Sequence, residues 1–333
     1  MPKLTVAIPN YNGGDNLERC IESCKTIQMP KNDYEILIID NKSSDNSINI
    51  VNEMKKKFTN IRLVENEKNI GRIQNWNVSI EKALGRYLIF LFSNDLINEK
   101  NNIHELVQNL DSDQTISICI SALLKKEKNG QYIKKAYFDQ VIKCPSKKFA
   151  SNCLNRGLLP FGPIQSIIYR LDAIANNKNR FLDEFPINAD EIFSFEEACK
   201  RENIMFSPHP QITWDLTQGR FHGKVKIEDE FKEHTDTIEI IKSKTNLDVN
   251  YGLISTYRAI NLIKFSAKNF QQKNGKKEAL THLLSKIKES GSLFRNDKIL
   301  VKTFFDKLKN SDKDADDLLH KLIITKCINE SKN

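Results

Sequence analysis

Leu4-Thr5-Val6-Ala7-Ile8-Pro9-Asn10-Tyr11-Asn12 is the stretch on which the fold turns. A short apolar run stopped by a proline reads as a buried strand. Gly13-Gly14-Asp15 then makes a turn and an N-cap, and Leu17, Cys20, Ile21 and Cys24 follow at helical spacing. The alternation recurs. Ile36-Leu37-Ile38-Ile39 ends at Asp40, and a polar loop through Asp45 leads into a helix carrying Ile48, Val51, Met54 and Phe58 on one face. Ile61-Arg62-Leu63-Val64 reads as a third strand, 73–83 as a helix, and Tyr87 to Phe92 as a fourth strand. Strands apolar on both faces, separated by amphipathic helices, predict an α/β fold with a mostly parallel, Rossmann-like sheet flanked by helices. Ligands of such sheets sit beyond the carboxyl ends of the strands. That rule selects four loops: Pro9–Asn12, Asp40–Asp45, Asn66–Arg72 and Ser93–Asp95.

The bulk numbers fit this reading. The chain has 333 residues, 39% hydrophobic and 28% charged, enough for a packed core and a soluble surface. Its net charge of +8 suits phosphorylated substrates, an anionic membrane surface or nucleic acid. No nucleic-acid recognition module is present, so that partner is not expected. The seven cysteines, Cys20, Cys24, Cys119, Cys144, Cys153, Cys199 and Cys327, form neither Cys-x-x-Cys pairs nor a Cys/His metal spacing. With no signal-like or membrane-spanning run, they point to a cytoplasmic protein whose thiols are inert core residues.

Beyond residue 110 the pattern is mixed. Ile116–Leu124 and the segments around Asn129-Gly130 suggest strands with a turn, Phe161-Gly162-Pro163 a loop, and Ala189–Glu202 a helix. From about 224 onward it is helical. Leu253, Tyr257, Ile260 and Ile263 form one stripe; Leu280, Leu283, Leu284 and Ile287 a second; and Leu318, Leu319, Leu322 and Ile323 a third. These stripes suit a bundle core, a homo-oligomer interface or, through the lysines, peripheral contact with the inner membrane face. The expected division is therefore 1–222 and a helical region, 223–333.

The four loops together resemble the family-two glycosyltransferases of the GT-A fold. Val6 to Asn12 is similar to that family's opening, and Ile38-Ile39-Asp40-Asn41-Lys42-Ser43-Ser44-Asp45 to its second signature, usually Asp-Asp-Gly-Ser-x-Asp. Asn69-Ile70-Gly71, Asn77, Ala83, Gly85 and Tyr87 fall at its Asn-x-Gly … Asn … Ala-x-Gly-x-Tyr spacings. The resemblance is specific over about 3–97, looser to about 222 and absent beyond. It implies an inverting transfer of a sugar from a nucleotide-diphosphate donor, UDP-linked by expectation, to a hydroxyl of a glycan or lipid-linked acceptor in bacterial surface-polysaccharide synthesis. A sugar nucleotidyltransferase would want a Gly-rich, basic loop after the first strand, which Pro9-Asn10-Tyr11-Asn12 lacks. A non-catalytic nucleotide-sugar binding protein is the reading from another class.

The resemblance implies nucleotide binding by Pro9, Tyr11, Asp40, Asn69, Gly71, Arg72, Asn77 and Asn94. Tyr11 can stack on a base, Asp40 can accept from its N–H or the ribose, and Arg72 can meet a phosphate. As plain structure, Tyr11 is a loop aromatic, Asp40 a turn residue, Asp45 a helix cap and Arg72 a solvated arginine opening a helix. The family neutralises its leaving diphosphate with Mn²⁺ or Mg²⁺ held by Asp-Ser-Asp-Asp; here the position reads Phe92-Ser93-Asn94-Asp95. Asp95 is then the expected metal ligand, with Asn94 a neutral oxygen. Arg220-Phe221-His222 is similar to the family's Arg-x-His, whose histidine reaches the metal or phosphates. Ala189-Asp190-Glu191 resembles the stretch supplying the general base, Asp190 favoured and Glu191 its neighbour. As structure, both carboxylates complement a helix dipole.

Overall fold

A computed structural model of the chain describes residues 1–136, 138–171, 180–217, 227–249 and 315–332. The first strands run as the apolar pattern requires. β1 (Leu4–Asn10), β2 (Tyr34–Asp40), β3 (Ile61–Glu65) and β4 (Tyr87–Phe90) pair in parallel, in the order β3-β2-β1-β4. Helices α1 (Gly14–Ser23), α2 (Ser47–Lys57) and α3 (Arg72–Lys82) connect them. The sheet then becomes mixed. β6 (Ile116–Lys126) and β9 (Ile167–Arg170) pair antiparallel, and β9 inserts antiparallel between β4 and β6. β10 (Asn203–Asp215) lies parallel to β6 and antiparallel to the short β5 (Leu96–Ile97) and to β8 (Ile142–Pro145). The turn expected at Asn129-Gly130 joins β6 to β7 (Tyr132–Lys135), with Gly130 at φ +81°.

Alternate residues of each central strand feed opposite cores. Leu4, Val6, Ile8, Tyr87 and Ile89 face one layer with side chains of α1, α2 and α4 (Ile103–Ser112). Ala7, Leu88 and Phe90 face the other, with α3, α5 (Ser146–Leu154) and α6 (Ala189–Ala198). That second core also takes Ile238 and Ile241 of α7 (Ile227–Thr245) and Ile324, Cys327 and Ile328 of α8 (Ala315–Lys332). Asn152 on α5 donates to Ser331 Oγ at 3.0 Å, and Arg156 pairs with Glu330 at 2.9 Å. The stripes at 253–263 and 280–287 lie outside the described residues. All seven cysteines are free thiols, and Cys199 alone is not fully buried. Burial pushes Cys24 up to about 12, in keeping with unreactive core thiols. Among the described residues, no helix is long and apolar enough to cross a membrane.

The Ala83-x-Gly85-x-Tyr87 stretch lies at the end of the sheet away from the candidate loops. Glu35 accepts from Thr5 Oγ1 and from the Leu84 N–H, both at 2.7 Å, and from Arg62 Nε at 3.0 Å. Gly85 donates its N–H to Thr5 Oγ1 at 2.9 Å, and a Cβ there would stand 2.5 Å from the Thr5 nitrogen and 2.6 Å from the Leu4 carbonyl carbon. Backbone cannot yield as a side chain does. Gly85→Ala is therefore expected to destabilise by about 1–3 kcal/mol, as overpacking does, while leaving ligand affinity intact at the far end of the strands. Denaturant unfolding together with nucleotide titration checks both halves; an unchanged midpoint would contradict this account of the glycine.

Candidate active site

The carboxyl ends of the parallel strands open into a cleft of about 540 Å³. Pro9, Tyr11, Asn69, Gly71 and Arg72 reach it from the parallel half, Ser93 and Asn94 from the loop after β4, and Gln165, Asp190 and Trp214 from the mixed half. Seven of the residues singled out in the sequence thus share one cavity. Tyr11 is 52% exposed, with its ring free to stack. Gly71 sits at φ +84°, a left-handed conformation that favours glycine, and turns the chain into α3. The guanidinium of Arg72, the next residue, lies 4.7 Å over the ring of Trp76 one turn further along α3, a cation–π contact that fixes the charge at the cleft wall. Trp76 in turn meets Phe92 at 5.5 Å between ring centroids. The position where the family usually carries an aspartate is thus part of an aromatic wall.

The loops are cross-linked by amides. Asn41 donates to Asn69 Oδ1 at 2.9 Å, and its own Oδ1 accepts from Asn66 and from the Ile70 N–H. Asn75 bridges Asn66 and the Ile39 carbonyl.

Other residues expected to touch ligand lie elsewhere. Asp40 is buried, not on the cleft wall. Its carboxylate accepts from Asn10 Nδ2 at 2.8 Å, Ser43 Oγ at 2.6 Å and the Ser43 N–H at 2.8 Å, so its oxygens hold the first two loops together. Asn77 is taken up by main chain: it donates to the Phe181 carbonyl at 3.0 Å and accepts from the Phe181 N–H at 2.9 Å. Glu191, beside Asp190, is turned away and accepts the N–H groups of Phe161 and Gly162 at 2.9 and 2.7 Å. Burial, and then the Asp190 charge, push its carboxyl up to about 8. Gly162 permits this approach, since a Cβ there would stand 2.9 Å from the Glu191 oxygen. His222 lies outside the described residues.

Asp95 is fully buried under the cleft. It accepts the Asp215 N–H at 3.1 Å and Gln165 Nε2 at 3.3 Å. Burial pushes its carboxyl up to about 8, with the Asp215 charge adding to the push. Gln165 Oε1, buried on the cleft wall, has no hydrogen-bond donor. The carboxylate of Asp95, the orphaned Gln165 oxygen and the Asn94 amide oxygen are donors of the type a hard divalent cation takes. Among the described residues no cluster of three or more His, Cys, Asp or Glu could hold a metal by itself. Asn94 and Gln165 stand on the cleft wall and Asp95 behind it, so these oxygens could serve a cation only together with a bound diphosphate.

Trp76, Asn75 and Trp214 escaped the sequence reading, and Asn41 enters it only as part of its loop. Trp76 left a signal, being four residues after Arg72 and so on the same face of α3.

A profile of the family described as Glycosyl transferase family 2 matches residues 5–175, just over half of the chain. The poly(ribitol-phosphate) beta-glucosyltransferase of Bacillus spizizenii is 28% identical over 206 residues, covering 62% of this chain and 31% of that protein. The chain thus spans about a third of the length of the curated relatives it matches. Among solved structures, residues 1–349 of Staphylococcus aureus TarS in complex with UDP-GlcNAc superpose with a TM-score of 0.63 at 19% identity, over 88% of this chain and 81% of that one. The mannosyltransferase PcManGT of Pyrobaculum calidifontis, in complex with GDP-Man and Mn²⁺, gives 0.53 at 12% identity over 99% and 87%. The sheet order, the loops at its carboxyl edge and the matched profile agree, and the chain belongs to glycosyl transferase family 2.

Proposed function

We propose that this chain transfers a sugar from a nucleoside-diphosphate donor, UDP-linked, to an acceptor hydroxyl in one inverting displacement, with Asp190 as general base. The observation that carries the reading is that Asp190 lines the same cleft as Tyr11 and Arg72. A base and a donor site in one cavity bring the attacking oxygen within reach of the anomeric carbon. Tyr11 stacks on the base of the nucleotide, and Arg72, stiffened by Trp76, faces the diphosphate as charge builds on it. Asp190 takes the acceptor's proton. Glu191 and Asp40 act in support, holding the loops on which ligand-facing groups stand. Asp95, Asn94 and Gln165 would hold a Mn²⁺ or Mg²⁺ ion, which when bound supplies charge neutralisation at the leaving diphosphate. The acceptor is proposed to be a hydroxyl-bearing surface glycan, polyol phosphate or lipid-linked saccharide. Relatives named for poly(ribitol-phosphate) and the net charge of +8 support an anionic one.

Asp190→Asn keeps size and hydrogen bonding while removing basicity. Turnover of UDP-glucose or UDP-GlcNAc, read as UDP release, is expected to fall by about 10²–10⁴-fold with UDP affinity unchanged in calorimetry. Glu191→Gln should instead lower the melting temperature, since an amide cannot accept both loop N–H bonds through two oxygens. A dead but stable Glu191→Gln beside an active Asp190→Asn would move the base by one residue.

A cation at Asp95 must displace the proton that burial keeps there up to about pH 8. Mn²⁺ affinity measured by calorimetry in the presence of UDP is therefore expected to rise about tenfold per pH unit between 6 and 7 and to level off above 8. Asn94→Asp should tighten it and Asp95→Asn abolish it. Affinity flat with pH, or intact in Asp95→Asn, would remove Asp95 as the ligand.

A further inference from the structure

The N-terminus of α6, which carries Asp190, is gripped from two sides by residues far away in sequence. From the donor side, the Arg72 guanidinium donates to the Pro186 carbonyl. From the other side comes Glu233 on α7, whose Oε1 accepts the N–H groups of both Ile187 and Asn188 at 2.7 Å. These are the two residues immediately before the helix, where N–H groups lack an intrahelical partner. A carboxylate is a stronger acceptor for them than a neutral side chain. Its charge is also within electrostatic range of Arg72 and Asp190. The segment 186–188 is thus held between a cation of the cleft wall and an anion of a helix that carries none of the family's signature residues.

We propose that Glu233 is a positioning residue for transfer: its two N–H contacts set the start of α6 and hence the place of Asp190 above the donor. The inference rests on the reading of Asp190 as base. Since Ile238 and Ile241 of the same helix are buried in the core beneath α3, α5 and α6, α7 is anchored firmly enough to act as the fixed point. The boundary expected at 222/223 then separates Asp190 from the residue that positions it.

The test uses the full chain, with UDP release from UDP-GlcNAc as the rate, calorimetry for UDP affinity and thermal unfolding as the control. Glu233→Ala is expected to lower kcat about 10–100-fold with UDP affinity within about threefold of the parent. Glu233→Gln, whose amide oxygen can still accept both N–H bonds, should keep at least about a third of the rate. In an Asp190→Asn background, Glu233→Ala should change the residual rate less than about twofold, because the group it positions has already lost its basicity. An equal loss in both backgrounds would overturn the proposal, as would normal turnover by Glu233→Ala. Should the alanine variant fail to fold, Glu233→Asp, which keeps the charge but withdraws it by one methylene, is expected to lose turnover; parental kcat in that variant would also overturn it. Full turnover by Asp190→Asn alone would instead sink the underlying reading of the base, whatever Glu233 does.

Discussion

The fold hangs on a buried arginine. Arg170 ends β9 with 1% of its surface exposed, and its guanidinium meets five acceptors. Nε donates to the Ile116 carbonyl at 3.0 Å, Nη1 to Tyr87 Oη at 3.2 Å and Gln114 Oε1 at 3.0 Å, and Nη2 to the carbonyls of Leu110 and Asp113 at 2.5 and 3.2 Å. A guanidinium has five N–H donors in a rigid fork, and all find partners here. Those partners belong to β4, the end of α4, the connection after it and the start of β6, the place where the parallel half of the sheet meets the mixed half. Three of them are main-chain carbonyls that would be orphaned together if the side chain were cut back, at about 1–3 kcal/mol each. The cleft takes Tyr11 and Arg72 from one half and Gln165, Asp190 and Trp214 from the other. The spacing of the two sets therefore depends on this seam.

The loops at the carboxyl ends of the parallel strands are held mostly by neutral groups. Asn10, Asn41, Asn66, Asn69 and Asn75 link the strand ends through side-chain amide hydrogen bonds, and the Asp40 carboxylate is turned inward on Asn10 and Ser43. Carboxylates could cross-link loops as well, but they would oppose a diphosphate in the same cleft. Amides supply rigidity without that charge.

Much of this was legible in the sequence, for a physical reason. A strand buried on both faces is apolar throughout and ends abruptly, so Ile8, Ile39 and Phe90 mark the sheet and the residues after them mark the cleft. The second half lacks that signal. β10 has register shifts against β6 and carries Pro208, His209 and Pro210 mid-strand, and β9 pairs antiparallel with two strands distant in sequence. Within the site, a polar residue at a strand end reads the same whether it faces ligand or ties loops together. Tyr11 and Asn69 do line the cleft, whereas Asp40 and Asn77 spend their oxygens on Ser43, Asn10 and Phe181. Glu233 left no trace at all, since it meets Ile187 across 46 positions of sequence.

The two carboxyl groups held near pH 8 have a consequence for proton linkage. Asp95 and Glu191 titrate at about 8 in the folded chain, against ordinary values of 3.8 and 4.5. An acid raised by folding stays protonated while the unfolded chain ionises, so what these groups contribute to stability is whole below the ordinary value and drains away as pH rises to about 8. Below that pH Asp95 keeps its proton, which a cation held there as proposed would have to displace. As far as these groups decide it, the protein is most firmly folded where the proposed cation site is least ready, and a cation bound there would return stability just where deprotonation withdraws it.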